Sequence, residues 1–223
     1  MYVRAYETSV WDIRMATGYA ATMGHREDLL EGAKRCLLDK GWTRTTARDI
    51  VAASGANLAS IGYHYGSKDA LMMEAFLQLT VEWADGAAPV IASAADPDAP
   101  REERLAATLD RVSASFANDR AYWSVQMEVI GQLVKNAELR EKFAAVQSHG
   151  REGMVALFEG VDDSEVGPEA TRTAGAFYHA LFVGLWMQWL IDPAAAPTGK
   201  EIVEGARRAL AGTVLNEQEG TGR

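Results

Sequence analysis

The amino-acid sequence predicts an all-α fold. Apolar residues recur at three- and four-residue steps along most of the chain, no stretch alternates as a strand between turn signals, and glycines or capping residues punctuate the periodic runs. With 223 residues, 48% of them apolar and 24% charged, the chain can bury a sizeable core and has the composition of a soluble globular protein. Its one cysteine, Cys36, excludes an intrachain disulfide framework or a cysteine-based zinc site and fits a reducing cytoplasm. The opening stretch MYVRAYETSVWDIRMATGYA carries Glu7, Asp12 and Arg14 and lacks a signal-type apolar segment, so secretion is not expected.

The elements follow in order. From His25 to Lys40, Leu29, Leu30, Ala33, Cys36 and Leu37 form the stripe of an amphipathic helix closed by Gly41, which makes Cys36 a buried small hydrophobe. Thr46 is a good N-cap for a short helix with Ala47, Ile50 and Val51 on one face, and Gly55 ends it. Asn57 caps the next helix, whose inner face reads as Leu58, Ile61 and Tyr65 and which Gly66 stops. Ser67 then caps a longer helix through Leu71, Met72, Phe76, Leu79 and Trp83. Residues 86–100, rich in Ala, Pro and Asp, read as a connecting loop. Further helices are expected over about residues 101–117, 120–135 and 138–158, then an acidic loop over 159–167. A helix beginning at Pro168 and running through Ile191, a loop over 192–199 and a last helix over 200–215 complete the pattern.

The formal charge of −9 argues against a protein that coats nucleic acid generally, but the charge is uneven. Met1 to Leu71 carries a net +1 and the remainder a net −10. Between Arg44 and Lys68 the only acid is Asp49, against Arg44, Arg48 and Lys68, so any DNA contact is expected there. On a helical wheel, Ile61 and Tyr65 fall within about 60° of Leu58, whereas Ala59, Ser60, Tyr63 and His64 occupy the opposite arc. An acid-free outer face of small and hydrogen-bonding residues suits a major groove. The alternative is a solvated helix face, for which Glu and Lys are the usual residues.

Arg26 to Leu71, with RTTARDIVAASGANLASIGYHYGSKDAL at its centre, closely resembles the DNA-binding domain of TetR-family transcriptional regulators. The resemblance rests on the helix beginning near Arg26, Gly41 closing it, the Thr46 cap with Ile50 and Val51, Gly55 in the turn, and Ile61 followed by Tyr63-His64-Tyr65-Gly66-Ser67-Lys68. It implies an amino-terminal three-helix helix-turn-helix DNA-binding domain over residues 22–82, with the motif at about 45–64, whose third helix reads a palindromic operator. It further implies a larger helical ligand-binding and dimerisation domain over residues 83–223. Residues 1–21 are expected to be a poorly ordered extension, with Met15 or Met23 as an alternative initiator. By the family pattern Thr46 and Lys68 contact phosphates, Ser60, Tyr63 and His64 lie on the groove side, and Asn57 at the head of the same helix joins the DNA-binding set. Arg44 and Arg48 are candidate phosphate partners or solvated arginines. The family often has an aromatic where this chain has Gly62; that departure means operator preference cannot be copied from relatives.

Thr173 to Ile191 contains no charge, a length just sufficient for a membrane span. No Lys or Arg cluster flanks it, and a helix apolar all round is equally served by one face in its own core and one on a second subunit. No membrane association is expected. Phe177, Leu181, Leu185 and Gln188 are the candidate dimer interface, and the family resemblance agrees, since its last two helices usually form a four-helix bundle across the dimer. Phe116, Trp123, Met127, Phe143, Tyr178 and Trp186 are candidates to line an apolar ligand pocket, with plain core as the alternative, and His149 and His179 are candidate polar groups there. Glu128 and Glu141 read as solvated helix positions. The sequence holds no G-x-G-x-x-G, P-loop, G-x-S-x-G or H-E-x-x-H motif, so no enzyme, cofactor or metal site is expected. The expected protein is a cytoplasmic homodimeric repressor whose partners are double-stranded operator DNA, a largely apolar small-molecule inducer and a second copy of itself. The rival readings are a helical small-molecule-binding protein with a degenerate DNA module and, more remotely, an all-α enzyme.

Overall fold

Among the residues that the computed structural model describes, 20–93, 96 and 98–212, every regular element is helical. In chain order these are α1 (Ala20–Lys40), α2 (Ala47–Ser54), α3 (Leu58–Tyr65), α4 (Lys68–Ala92), α5 (Arg101–Asn118), α6 (Arg120–Lys135), α7 (Ala137–Glu159), a 3-10 turn (Asp163–Glu165), α8 (Pro168–Arg172), α9 (Ala174–Ile191) and α10 (Gly199–Ala211). The expected extension falls almost wholly outside the described residues, as does the chain beyond Gly212.

The chain groups into two compact units, one of residues Met1–Ala87 with Asp119–Gln147 and the other of Ala88–Asn118 with Ser148–Arg223. This grouping differs from a division at residue 82, because α6 and the start of α7 pack with the first helices rather than with the last. In the first unit, Leu29, Ala33, Cys36 and Leu37 of α1 are buried with Ile50 of α2, Ile61 of α3 and Leu71, Met72 and Phe76 of α4. Tyr122 and Trp123 of α6 close that core from the side: the Phe76 and Tyr122 rings stack at 6.1 Å, and Trp83 meets Trp123 edge-on at 4.7 Å. Each fully buried Leu or Phe in such a core contributes about 1.5–3 kcal/mol. Along the rim, Arg26 pairs with Glu74 at 2.7 Å and Lys34 with Glu82 at 2.5 Å, one pair two turns beyond the other on both helices, so α1 and α4 run parallel.

In the second unit, Leu109, Val112 and Phe116 of α5 are buried with Phe182, Leu185 and Trp189 of α9. Phe116 lies 5.7 Å from both Phe182 and Trp189, and Phe158 of α7 stacks on Tyr178 at 4.7 Å. Arg101 and the Tyr178 hydroxyl both donate to the Glu159 carboxylate. The first residue of α10, Gly199, is buried and donates its N–H to Asp110 Oδ1 at 2.6 Å.

Two element boundaries differ from the periodicity. Residues 86–100 are not all loop, since α4 continues through Pro89 to Ala92. Proline removes one intrahelical hydrogen bond, but Ile91, 1% exposed, supplies apolar burial on the far side, and Ser93 closes the helix on the Pro89 and Val90 carbonyls. The helix expected from Pro168 to Ile191 is present as α8 and α9, distorted at Thr173 but with its ladder kept: the Thr173 N–H reaches the Glu169 carbonyl at 2.9 Å, the Phe177 N–H the Thr173 carbonyl at 3.1 Å, and the Thr173 hydroxyl shares the Glu169 carbonyl at 2.7 Å.

Candidate nucleic-acid interface

The helix-turn-helix is built by capping chemistry. Thr46 Oγ1 accepts the Asp49 N–H at 3.2 Å while Asp49 Oδ2 accepts the Thr46 N–H at 2.8 Å, a reciprocal pair that fixes the start of α2. Gly55, at φ 72°, supplies the left-handed residue that ends α2, and Asn57 Oδ1 accepts the Ser60 N–H at 3.0 Å to start α3. Thr46→Ala therefore lowers stability by about 1 kcal/mol, read from chemical unfolding, with a smaller loss for Thr46→Ser.

Asp49, the one acid in the basic stretch, is neutralised inside the chain. The Lys40 ammonium donates to its Oδ1 at 2.6 Å and Thr46 donates to its Oδ2 from both hydroxyl and backbone. Those contacts, Lys40 first, hold its carboxyl far below the usual carboxylate range. The Thr46 hydroxyl proton is thus committed to Asp49 at 2.7 Å, so a phosphate contact by that proton has to displace the carboxylate. Lys68 Nζ donates to the Thr45 carbonyl at 3.1 Å and lies 3.4 Å from Asp69, which ties the head of α4 to the turn before α2 and leaves a third ammonium proton. Arg44, exposed, donates one of its five N–H groups to the Lys40 carbonyl at 2.8 Å, and Arg48 is exposed.

On α3, Tyr63 is 78% exposed and its ring meets His64 edge-on at 4.8 Å. Burial, then Arg26 and His25 nearby, push the His64 imidazole below its usual value, so the ring is neutral at neutral pH and carries one donor and one acceptor. Tyr65 turns inward: its hydroxyl donates to the Arg26 carbonyl at 2.7 Å and its ring lies under the Arg26 guanidinium at 5.3 Å. Leu58 departs from the expected inner face, for it is 54% exposed while Ala56 and Ile61 are buried. The wheel gives an angle but no height; Leu58 is the first residue of α3 and overhangs the turn, where Ala56 already fills the inner position.

Sequence reasoning missed Glu128. It is no solvated position: its Oε2 accepts the Thr43 N–H at 2.8 Å, and a side chain at Gly41 would stand 2.1 Å from its Oε1. A carboxylate on α6 therefore holds the turn three residues before the Thr46 cap. Nothing local signals it, since the partners are 85 residues apart.

The other candidate sites scatter. Of the six pocket residues, Trp123, Met127 and Phe143 fall in the first unit and Phe116, Tyr178 and Trp186 in the second. Phe116, Trp123 and Trp186 are at most 2% exposed and Met127 is on the surface. His149 is exposed, and burial followed by Arg151 lowers the His179 value. On α9, Phe177 and Gln188 are exposed and Leu181 half-buried, but Leu185, 2% exposed, belongs to the protomer's own core and leaves the candidate interface.

A model described as bacterial regulatory proteins of the tetR family matches residues 29–75, and one described as the BetI-type transcriptional repressor C-terminal domain matches residues 100–215, more than half of the chain. The HTH-type transcriptional repressor AcnR of Corynebacterium efficiens is 29% identical over 126 residues, 55% of this chain and 58% of that protein. AcnR of Corynebacterium glutamicum is 35% identical over 48 residues, 22% and 26% of the two chains. The matched stretch thus spans a little over half of the first relative and about a quarter of the second. Among solved structures, the multidrug binding protein EbrR, crystallised with imidazole, shares the fold at 21% identity and a TM-score of 0.58, over 84% of this chain and 88% of its own. A transcriptional regulator from Streptomyces coelicolor A3(2) does so at 20% and 0.58, over 83% and 97%. With the capped helix-turn-helix and an all-helical remainder on which the two models fall in order, the chain belongs to the TetR family of bacterial regulatory proteins, which are transcriptional regulators and not enzymes.

Proposed function

We propose that this chain is a cytoplasmic transcriptional repressor that binds a palindromic operator as a homodimer and lets go when a small molecule binds its helical carboxyl-terminal part. The observation that carries the reading is the outer face of α3: it bears an exposed Tyr63 and a half-buried His64 with no acid, and Arg44, Arg48 and Lys68 stand on the adjoining elements while Asp49 is held by Lys40. Such a surface offers hydrogen-bonding groups to base edges and cations to phosphates. Ligand response draws support from relatives of the same fold: EbrR is described with imidazole, and a regulator from Saccharomonospora viridis, 21% identical with a TM-score of 0.53, with choline. The Glu128 contact gives response a route. A shift of α6 along its axis moves the carboxylate and with it the turn that carries Arg44 and Thr46.

Gel-shift titration of the full chain against the promoter DNA beside its own gene, at two salt concentrations, tests this. Retardation that weakens steeply with salt is expected, and Lys68→Ala and Tyr63→Ala should each weaken binding by about tenfold, a loss of one charged or hydrogen-bonded contact. Lys68→Ala should also flatten the salt dependence by about one phosphate. No retardation, or unchanged affinity in both variants, refutes the assignment and leaves the small-molecule-binding reading.

A further inference from the structure

The first turn of α3 is unusual for a surface that meets DNA. Leu58 stands 54% exposed at its first position, Ala59 beside it is exposed, and the Asn57 side-chain oxygen is used by the Ser60 N–H. Leu58 is only partly covered by the protomer, whereas Ala56 and Ile61 fill the inner positions at 8% and 5% exposure. One turn further along the same face is Gly62, which carries no side chain and has no atom outside its own helix within 4 Å of where its Cβ would be. The neighbouring sequence bears little to repel a phosphate backbone: residues 50–68 contain no acid, and the flanking Asp49 and Asp69 lie against Lys40 and Lys68.

In a helix-turn-helix, the amino-terminal residues of the second helix reach the base edges, and the one apolar group that a base pair presents in the major groove is the thymine C5-methyl. Resting on the operator-binding reading above, we propose that Leu58 reads a thymine methyl in each half-site, so that the first turn of α3 selects sequence by apolar contact while Tyr63, His64 and the cations supply the polar contacts. Gly62 leaves the approach to that methyl open.

The test uses the full chain and a duplex selected from a random pool. Each thymine of the selected half-site is replaced in turn by deoxyuridine, which removes the methyl and keeps the base pair. One symmetric position should lose about fourfold per half-site, the effect of burying a single methyl group. Leu58→Ala should bind the thymine and uracil duplexes alike, with a thermal midpoint lowered by no more than about 4 °C because the residue is only partly buried. A half-site without thymine, no position sensitive to the methyl, or a Leu58→Ala protein that still prefers thymine overturns the inference while leaving operator binding intact. Failure of selection to enrich any duplex overturns operator binding, and the inference with it.

Discussion

Phe177→Arg, alone or with Gly184→Arg, should turn the proposed dimer into a monomer and lower operator affinity on the order of 100-fold or more, as expected when the two linked half-site contacts of that proposal become one. The outward stripe of α9 runs through Phe177, Ala180, Gly184, Gln188 and Ile191, at helical spacing and without a charge. Phe177 is 51% and Ile191 77% exposed, while Tyr178, Phe182, Leu185, Trp186 and Trp189 on the opposite side are buried in the protomer. The helix is long and apolar enough by composition to cross a membrane, yet that one-sided burial is the pattern of a helix shared between a core and a neighbour. No atom outside its own helix lies within 4 Å of a Cβ placed on Gly184, so an arginine there projects outward without strain in the protomer. Two copies brought face to face would bury those guanidinium groups unpaired, which is prohibitively costly. Sedimentation of the variants alongside gel shifts checks the result; a dimer that persists with normal affinity moves the interface to another face.

The second large effect concerns stability. Gly199→Ala should lower it by about 3 kcal/mol, the upper range for overpacking. A Cβ at Gly199 would lie 2.0 Å from the Ala106 carbonyl oxygen and 2.7 Å from its carbon. Both are backbone atoms of α5, so no rotamer change relieves the clash, and the Gly199–Asp110 hydrogen bond that docks α10 is pushed apart with it. For a chain of this size the thermal midpoint should fall by about 6–12 °C. Gly205→Ala is the matched control: it lies six residues on in the same helix with space around it, and alanine there should gain up to about 1 kcal/mol from helix propensity. Equal behaviour of the two variants would show that α10 does not dock as closely as described.

The residues that were legible in the sequence act locally. Thr46, Gly55, Asn57 and Gly66 each govern a turn through atoms within four residues, and they stand where their chemistry implies. The boundaries of α6 coincide with the expectation because Asp119 and Asn136 flank a run with one clear stripe. Failure came where the cause is distant or where angle and height separate. Pro89 reads as a stop because proline costs a helix its hydrogen bond, but Ile91 finds a core that no window reveals. Leu58 and Leu185 are both leucines at helical spacing, and only the folded chain shows that the first faces outward and the second inward. Glu128 carries the same lesson for the site, since a carboxylate on an amphipathic helix gives no local hint that a backbone N–H awaits it.

That carboxylate also bears on protein engineering. Cutting the gene at residue 75, after the helix-turn-helix, and splicing that piece onto another regulator's sensor would transplant the reading head without the clamp that steadies it, because the clamp, Glu128, is encoded 53 residues past the splice. A chimera that carries α6 with its own reading head keeps the joint; one that does not has to supply an acid at the equivalent place or accept a looser grip on its target.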